Sequence, residues 1–122
     1  MYDETPNAQQ IAALNDEFRA RVGVPVFDPR VPGLVLMTRG IGALSPADQI
    51  AVWFKVCDFD AFTPDNDPHG EHDFGAITLA GVGKIFWKID YYADASMTYG
   101  SEDPADLAKT FRVLTIMLAE EY

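Results

Sequence analysis

The side chains best suited to chemistry are concentrated in Phe59–Gly75, FDAFTPDNDPHGEHDFG, which carries Asp60, Asp65, Asp67, Glu71, Asp73 and both histidines, His69 and His72. Asp65-Asn66-Asp67-Pro68-His69-Gly70 sets oxygen ligands at positions one and three and glycine at position six, like the opening of an EF-hand calcium loop. Position five is His69, and position twelve is Ala76 where a bidentate Glu is required. His69-x-x-His72 suggests zinc, with Glu71, Asp73 or Cys57 as further ligands. Neighbours on one turn rarely converge on one ion, so no metal and no cofactor are expected. His69-Gly-Glu71 echoes the H-x-E of zinc deaminases, but the P-C-x-x-C that must follow is missing.

Acid–base chemistry remains. His72 beside Glu71 or Asp73 would form a hydrolytic or metal-assisted site, with a carboxylate orienting the imidazole. No serine or cysteine nucleophile accompanies them and no nucleophile-elbow motif occurs, which points away from an enzyme. The bland reading accounts for many of the same residues. Asp65, Asn66 and Asp67 suit Asx turns, Pro64 and Pro68 fix φ, and Phe59, Phe62 and Phe74 would pin the loop to a core. A loop so anchored is also a good recognition surface.

The flanking segments must hold this loop. Thr5-Pro6 opens a helix whose stripe is Ile11, Leu14, Phe18 and Val22, ending at Gly23 and Pro25. Val24–Pro32, with three prolines, is an extended connector, and Gly33–Thr38 reads as a buried strand. Ser45-Pro46 starts a second helix with Ile50, Trp53, Phe54 and Cys57 as its core face. Cys57 reads as a packed hydrophobe, since no basic residue adjoins it. Asp73–Ala80 and Lys84–Tyr92, joined by Gly81-Val82-Gly83, predict an antiparallel hairpin with Ile85, Trp87, Ile89 and Tyr91 on its core face. Its GVGK lacks Walker spacing and leads into a strand, so it is no phosphate loop. A short edge strand is expected around Met97–Tyr99. From Asp103-Pro104 the stripe Leu107, Phe111, Leu114 and Leu118 predicts a long, buried final helix, with Glu120, Glu121 and the Tyr122 carboxylate at its unfavourable negative end.

The 122 residues suit a single domain, 1–122, and a 48% hydrophobic content is that of a folded chain. No apolar run is long enough to span a bilayer, and one cysteine with no signal-like start fits the cytoplasm. The net charge is −10, and no Lys or Arg occurs between Val56 and Val82. Such a surface repels phosphates, so direct nucleic-acid binding is disfavoured, and three readings stay open: a solubilising surface charge, a patch for a basic protein partner, or a cation site. A homo-oligomer with its acidic face turned to solvent is one more reading.

FTPDNDPHGEHDFG at Phe62–Gly75, FWKIDYY at Phe86–Tyr92 and RVLTIMLAEEY at Arg112–Tyr122 resemble the bacterial domain-of-unknown-function family 3768. IAALNDEFR at Ile11–Arg19 and MTRG at Met37–Gly40 share in the resemblance. It implies no reaction or ligand. It does imply where to look: Thr63, Asp65, Asn66, Asp67, Gly70, Glu71, His72 and Asp73, then Trp87, Asp90 and Tyr91.

The expected protein is an α+β domain, with a small antiparallel sheet of three to four strands packed against two to three helices. Its expected function is an acidic binding protein engaging a basic partner through the loop residues above and His69. One form of it would be a nucleic-acid mimic that inhibits a defence nuclease. The alternative is the hydrolase or metal-assisted enzyme built on His72, Asp73 and Glu71.

Overall fold

A computed structural model describes residues 6–24 and 26–122; the expected Thr5 cap and the Pro25 stop lie outside them. The elements are α1 (Pro6–Arg19), β1 (Gly33–Met37), α2 (Arg39–Gly42), α3 (Pro46–Cys57), β2 (Phe74–Leu79), β3 (Gly83–Tyr92) and β4 (Phe111–Leu118), with 3-10 turns at Leu107–Lys109 and Ala119–Glu121. The strands form one sheet in the order β1-β4-β3-β2. β2 and β3 are antiparallel, as are β3 and β4, while β1 runs parallel to β4. The fold is α+β, with a mixed sheet.

Local signals explain much of this. The Ser45 hydroxyl accepts from the Asp48 amide (3.1 Å) and Pro46 takes the first turn of α3. Gly81 and Gly83 adopt positive φ and close the β2–β3 hairpin. Ile85, Trp87, Ile89 and Tyr91 face the helices, together with Leu114 and Ile116, and meet Leu14, Phe18, Val52 and Val56 in the core. Phe86, Lys88, Asp90 and Tyr92 share the opposite face, where Lys88 and Asp90 form a 2.8 Å ion pair.

The expected final helix is a strand. Phe111–Leu118 carries Val113, Thr115 and Ile116, which favour extended backbone, and it pairs on both sides, with β1 and β3. Arg112, Val113, Leu114, Ile116 and Met117 are all buried, so both faces are covered, and a run apolar on both faces carries no period that separates strand from helix. The Glu-Glu-Tyr ending therefore meets no long-helix dipole. Glu121 instead accepts from the Thr38 hydroxyl (2.5 Å) and the Gly40 amide (3.0 Å), tying the last turn to α2.

Three smaller expectations also change. Met97–Tyr99 forms no strand; a single bridge joins Tyr92 to Gly100. α3 buries Val52 and Val56 and leaves Ile50 (46%) and Phe54 (65%) exposed, so its core face is rotated from the one expected. β1 is an edge strand with Leu36 and Met37 exposed, because β4 pairs with one side of it alone. Cys57 packs as expected: its thiol donates to the Val22 carbonyl (3.1 Å), and burial, then Asp58, pushes it up from the usual thiol range.

Candidate functional site

The loop between α3 and β2 is built from interlocked turns. The Thr63 amide donates to Asn66 Oδ1 (2.9 Å), the Asn66 amide donates back to Thr63 Oγ1 (3.3 Å), and Asn66 Nδ2 reaches the Ala61 carbonyl (2.9 Å). Gly70 turns the chain at positive φ. The loop then meets α1, where its inward side chains are taken up.

His72 is the centre of that contact. Its Nδ1 lies 3.0 Å from both carboxylate oxygens of Asp16, and because an ionised carboxylate only accepts, Nδ1 carries the proton. Its Nε2 is 3.8 Å from Asp67, which is 2% exposed, and its backbone amide donates to the same carboxylate (3.3 Å). The imidazole stacks on Phe62 with centroids 3.9 Å apart. His72 holds a φ of +57°, a conformation unfavourable for most side chains that these contacts must support.

Arg19 backs the pair. It donates to Asp16 (2.9 Å) and to the carbonyls of Val56 (2.8 Å) and Cys57 (3.1 Å) in the last turn of α3. Its guanidinium lies over the rings of Phe62 and Trp87.

A second chain, buried at its Arg112 end and half-buried at Glu71, runs beside the first. Arg112 Nε donates to Asn15 Oδ1 (2.7 Å), Asn15 Nδ2 donates to the Tyr91 hydroxyl (2.8 Å), and that hydroxyl donates to Glu71 Oε1 (2.9 Å). Every donor points the same way, from a guanidinium to a carboxylate. Asn15 Nδ2 also bonds the Glu71 carbonyl (2.9 Å). Burial, then the charges of Asp73 and Glu71, raises the Tyr91 hydroxyl well above its ordinary value. Burial pushes Asp73 up to about 6, helped by Glu71 and Asp67.

The expected residues thus divide. Asp67, Glu71, His72 and Tyr91 come together, with Asp73 beside them. Thr63, Asp65, Asn66 and His69 are exposed on the outer side of the loop. Trp87 is core and touches the site through Phe62, while Asp90 lies on the far face with Lys88. Phe59 and Phe62 pack on Trp87 as anchors; Phe74 instead joins Phe86 and Tyr122 on the far face. Among the described residues no three His, Cys, Asp or Glu side chains are grouped as metal ligands.

Asn15, Asp16, Arg19 and Arg112 were not expected here. Their partners in the site lie 37 to 97 positions away, except in the local Asp16–Arg19 pair, and Arg112 also donates to the nearby Pro104 carbonyl (2.7 Å), so of the site contacts only the i, i+3 spacing was visible in sequence.

Residues 37–121 match the family described as "Protein of unknown function (DUF3768)", which is most of the chain. The chain belongs to DUF3768. The matched stretch takes in the loop, the hairpin and β4, and it starts after α1, so Asn15, Asp16 and Arg19 lie outside it. No curated protein and no solved structure matches this DUF3768 chain.

Proposed function

We propose that this DUF3768 protein is a binding protein that uses the outer side of the Phe59–Gly75 loop to engage a basic protein partner. One observation carries the reading: the loop is two-sided. Its inward imidazole and carboxylates are committed, His72 to Asp16 and Asp67, and Glu71 to Tyr91. Its outer side presents Asp60 and Asp65, with Asp58 just before, all exposed and in a stretch without Lys or Arg. A rigid loop binds without a large ordering cost, and like-signed carboxylates steer an oppositely charged partner. A nucleic-acid mimic facing a nuclease is one form this takes. No observation favours the hydrolytic alternative: the hydrogen bonds of His72 go to Asp16 and Asp67, and no nucleophile accompanies them.

The test is capture of partners from the native host, repeated with Asp58→Asn, Asp60→Asn and Asp65→Asn combined. These side chains are exposed, so folding should be unaffected. The variant should associate about tenfold more slowly, and wild-type capture should weaken as salt rises. Capture unchanged by both treatments overturns the proposal.

A further inference from the structure

We propose, resting on the reading of a basic partner given above, that this partner presents an amphipathic helix whose apolar face fills the groove between α3 and residues 20–24 and whose terminal Lys or Arg meets Asp58.

The groove follows from the packing of α3. Val52 and Val56 turn to the core, which leaves Ile50, Trp53, Phe54 and Cys57, at i, i+3, i+4 and i+7, as one wall. Val22 and Val24, in the segment that leaves α1, form the other. Together they enclose about 420 Å³, with Ile50, Phe54 and Val24 exposed. The walls are fixed to each other. The Cys57 thiol donates across to the Val22 carbonyl (3.1 Å), and Gly23, at a φ of +78°, runs so close that a Cβ would stand 2.9 Å from the Trp53 ring. The Trp53 indole N–H is itself held by Met37 Sδ (3.1 Å). A groove already formed is filled at little ordering cost.

Charge sets one end of the occupant. Every side chain lining the groove is uncharged except Asp58, which is exposed at the negative, C-terminal end of α3. Asp58 also belongs to the carboxylates of the acidic loop's outer side, with Asp60 two residues on. Among the described residues no ion pair takes up either carboxylate. Lys55, one turn back on α3, lies outside the lining and does not pair with Asp58. The fitting occupant is apolar along its length and basic at one end.

The backbone sets its form. The amides of Ala20, Arg21, Val22 and Val24 are bonded within their own turns, and Arg19 takes the Val56 and Cys57 carbonyls at the end of α3. An extended chain would bring unmet amides and carbonyls into this apolar groove, whereas a helix has already satisfied its own. The stripe from Ile50 to Cys57 is about 10 Å long, which two helical turns cover. Apolar residues at i, i+3 or i+4, and i+7 of the incoming helix then meet it.

The probe is a stapled helical peptide of about four turns, leucines on one face and lysines on the other. Trp87 is fully buried, so a blue shift of tryptophan emission on binding reports Trp53. Phe54→Ser should weaken binding about tenfold or more, with the circular dichroism unchanged because the side chain is exposed. Asp58→Asn should weaken it about threefold, and a peptide with Glu for Lys should not bind. A Glu peptide or a scrambled peptide that binds as well as the Lys peptide overturns the proposal, as does binding indifferent to Phe54→Ser. A dimer of this chain that Phe54→Ser dissociates also overturns it, since the groove would then hold a second copy. In capture from the native host, loss with the combined Asp→Asn variant but survival with Phe54→Ser and Ile50→Ser overturns the groove and leaves the basic partner standing. Capture indifferent to the carboxylates overturns both.

Discussion

Asn15 and Arg112 stand 97 positions apart in the chain and are joined by a 2.7 Å hydrogen bond with neither side chain exposed. The bond couples the first helix to the last strand. It also starts the directed chain that ends at Glu71, at the inward side of the acidic loop.

Removing Asn15 should therefore be costly. Asn15→Ala leaves the buried Arg112 Nε without its acceptor and the Tyr91 hydroxyl, which keeps Glu71, without its donor, and an unmet buried polar group costs more than a bond is worth when made. Urea denaturation should show a loss of about 2–4 kcal/mol. A loss below about 0.5 kcal/mol, the size of an ordinary surface change, would mean that the chain contributes nothing.

The contact between His72 and Asp16 should appear as coupling. A double-mutant cycle with Asp16→Ala and His72→Ala should give an interaction energy of about 1 kcal/mol. His72→Asn should be milder than His72→Ala, because asparagine tolerates the positive φ and keeps a donor close to Nδ1. Additive single effects would reduce the contact to incidental proximity.

Asp73 predicts a pH dependence. The fold favours its protonated form, holding it up to about 6. The stabilisation is complete below the unfolded carboxylate value near 4 and is lost as pH rises through about 6. The melting temperature of the wild type should fall relative to Asp73→Asn across that window. Parallel profiles for the two proteins would contradict the assignment.

Two glycines separate packing from backbone effects. A Cβ at Gly75 would stand 2.3 Å from Trp87 Nε1, deep in the core, whereas one at Gly42 meets nothing within 4 Å. Gly75→Ala should cost about 3 kcal/mol and shift the tryptophan fluorescence. Gly42→Ala, at an exposed position of a short helix, should stay within about 0.5 kcal/mol of wild type or gain slightly.

The features legible before folding were local. Ser45-Pro46 announces α3, and the glycines at 81 and 83 announce the hairpin, because caps and tight turns are decided by residues a few positions apart. The alternation from Ile85 to Tyr91 likewise showed which side chains face the helices. The loop was legible as the concentration of functional groups for the same reason: residue type is visible without a fold.

Tertiary structure decided the rest. β4 became a strand because β1 and β3 supply hydrogen bonds on both sides, a choice its two-faced apolar run leaves open. The loop acquired an inside and an outside only when α1 brought Asn15 and Asp16 to Glu71 and His72, 56 positions away. Partners that far apart leave no spacing to read. Whether His72 is a free base or a held ring depends on that approach, and the fold holds it.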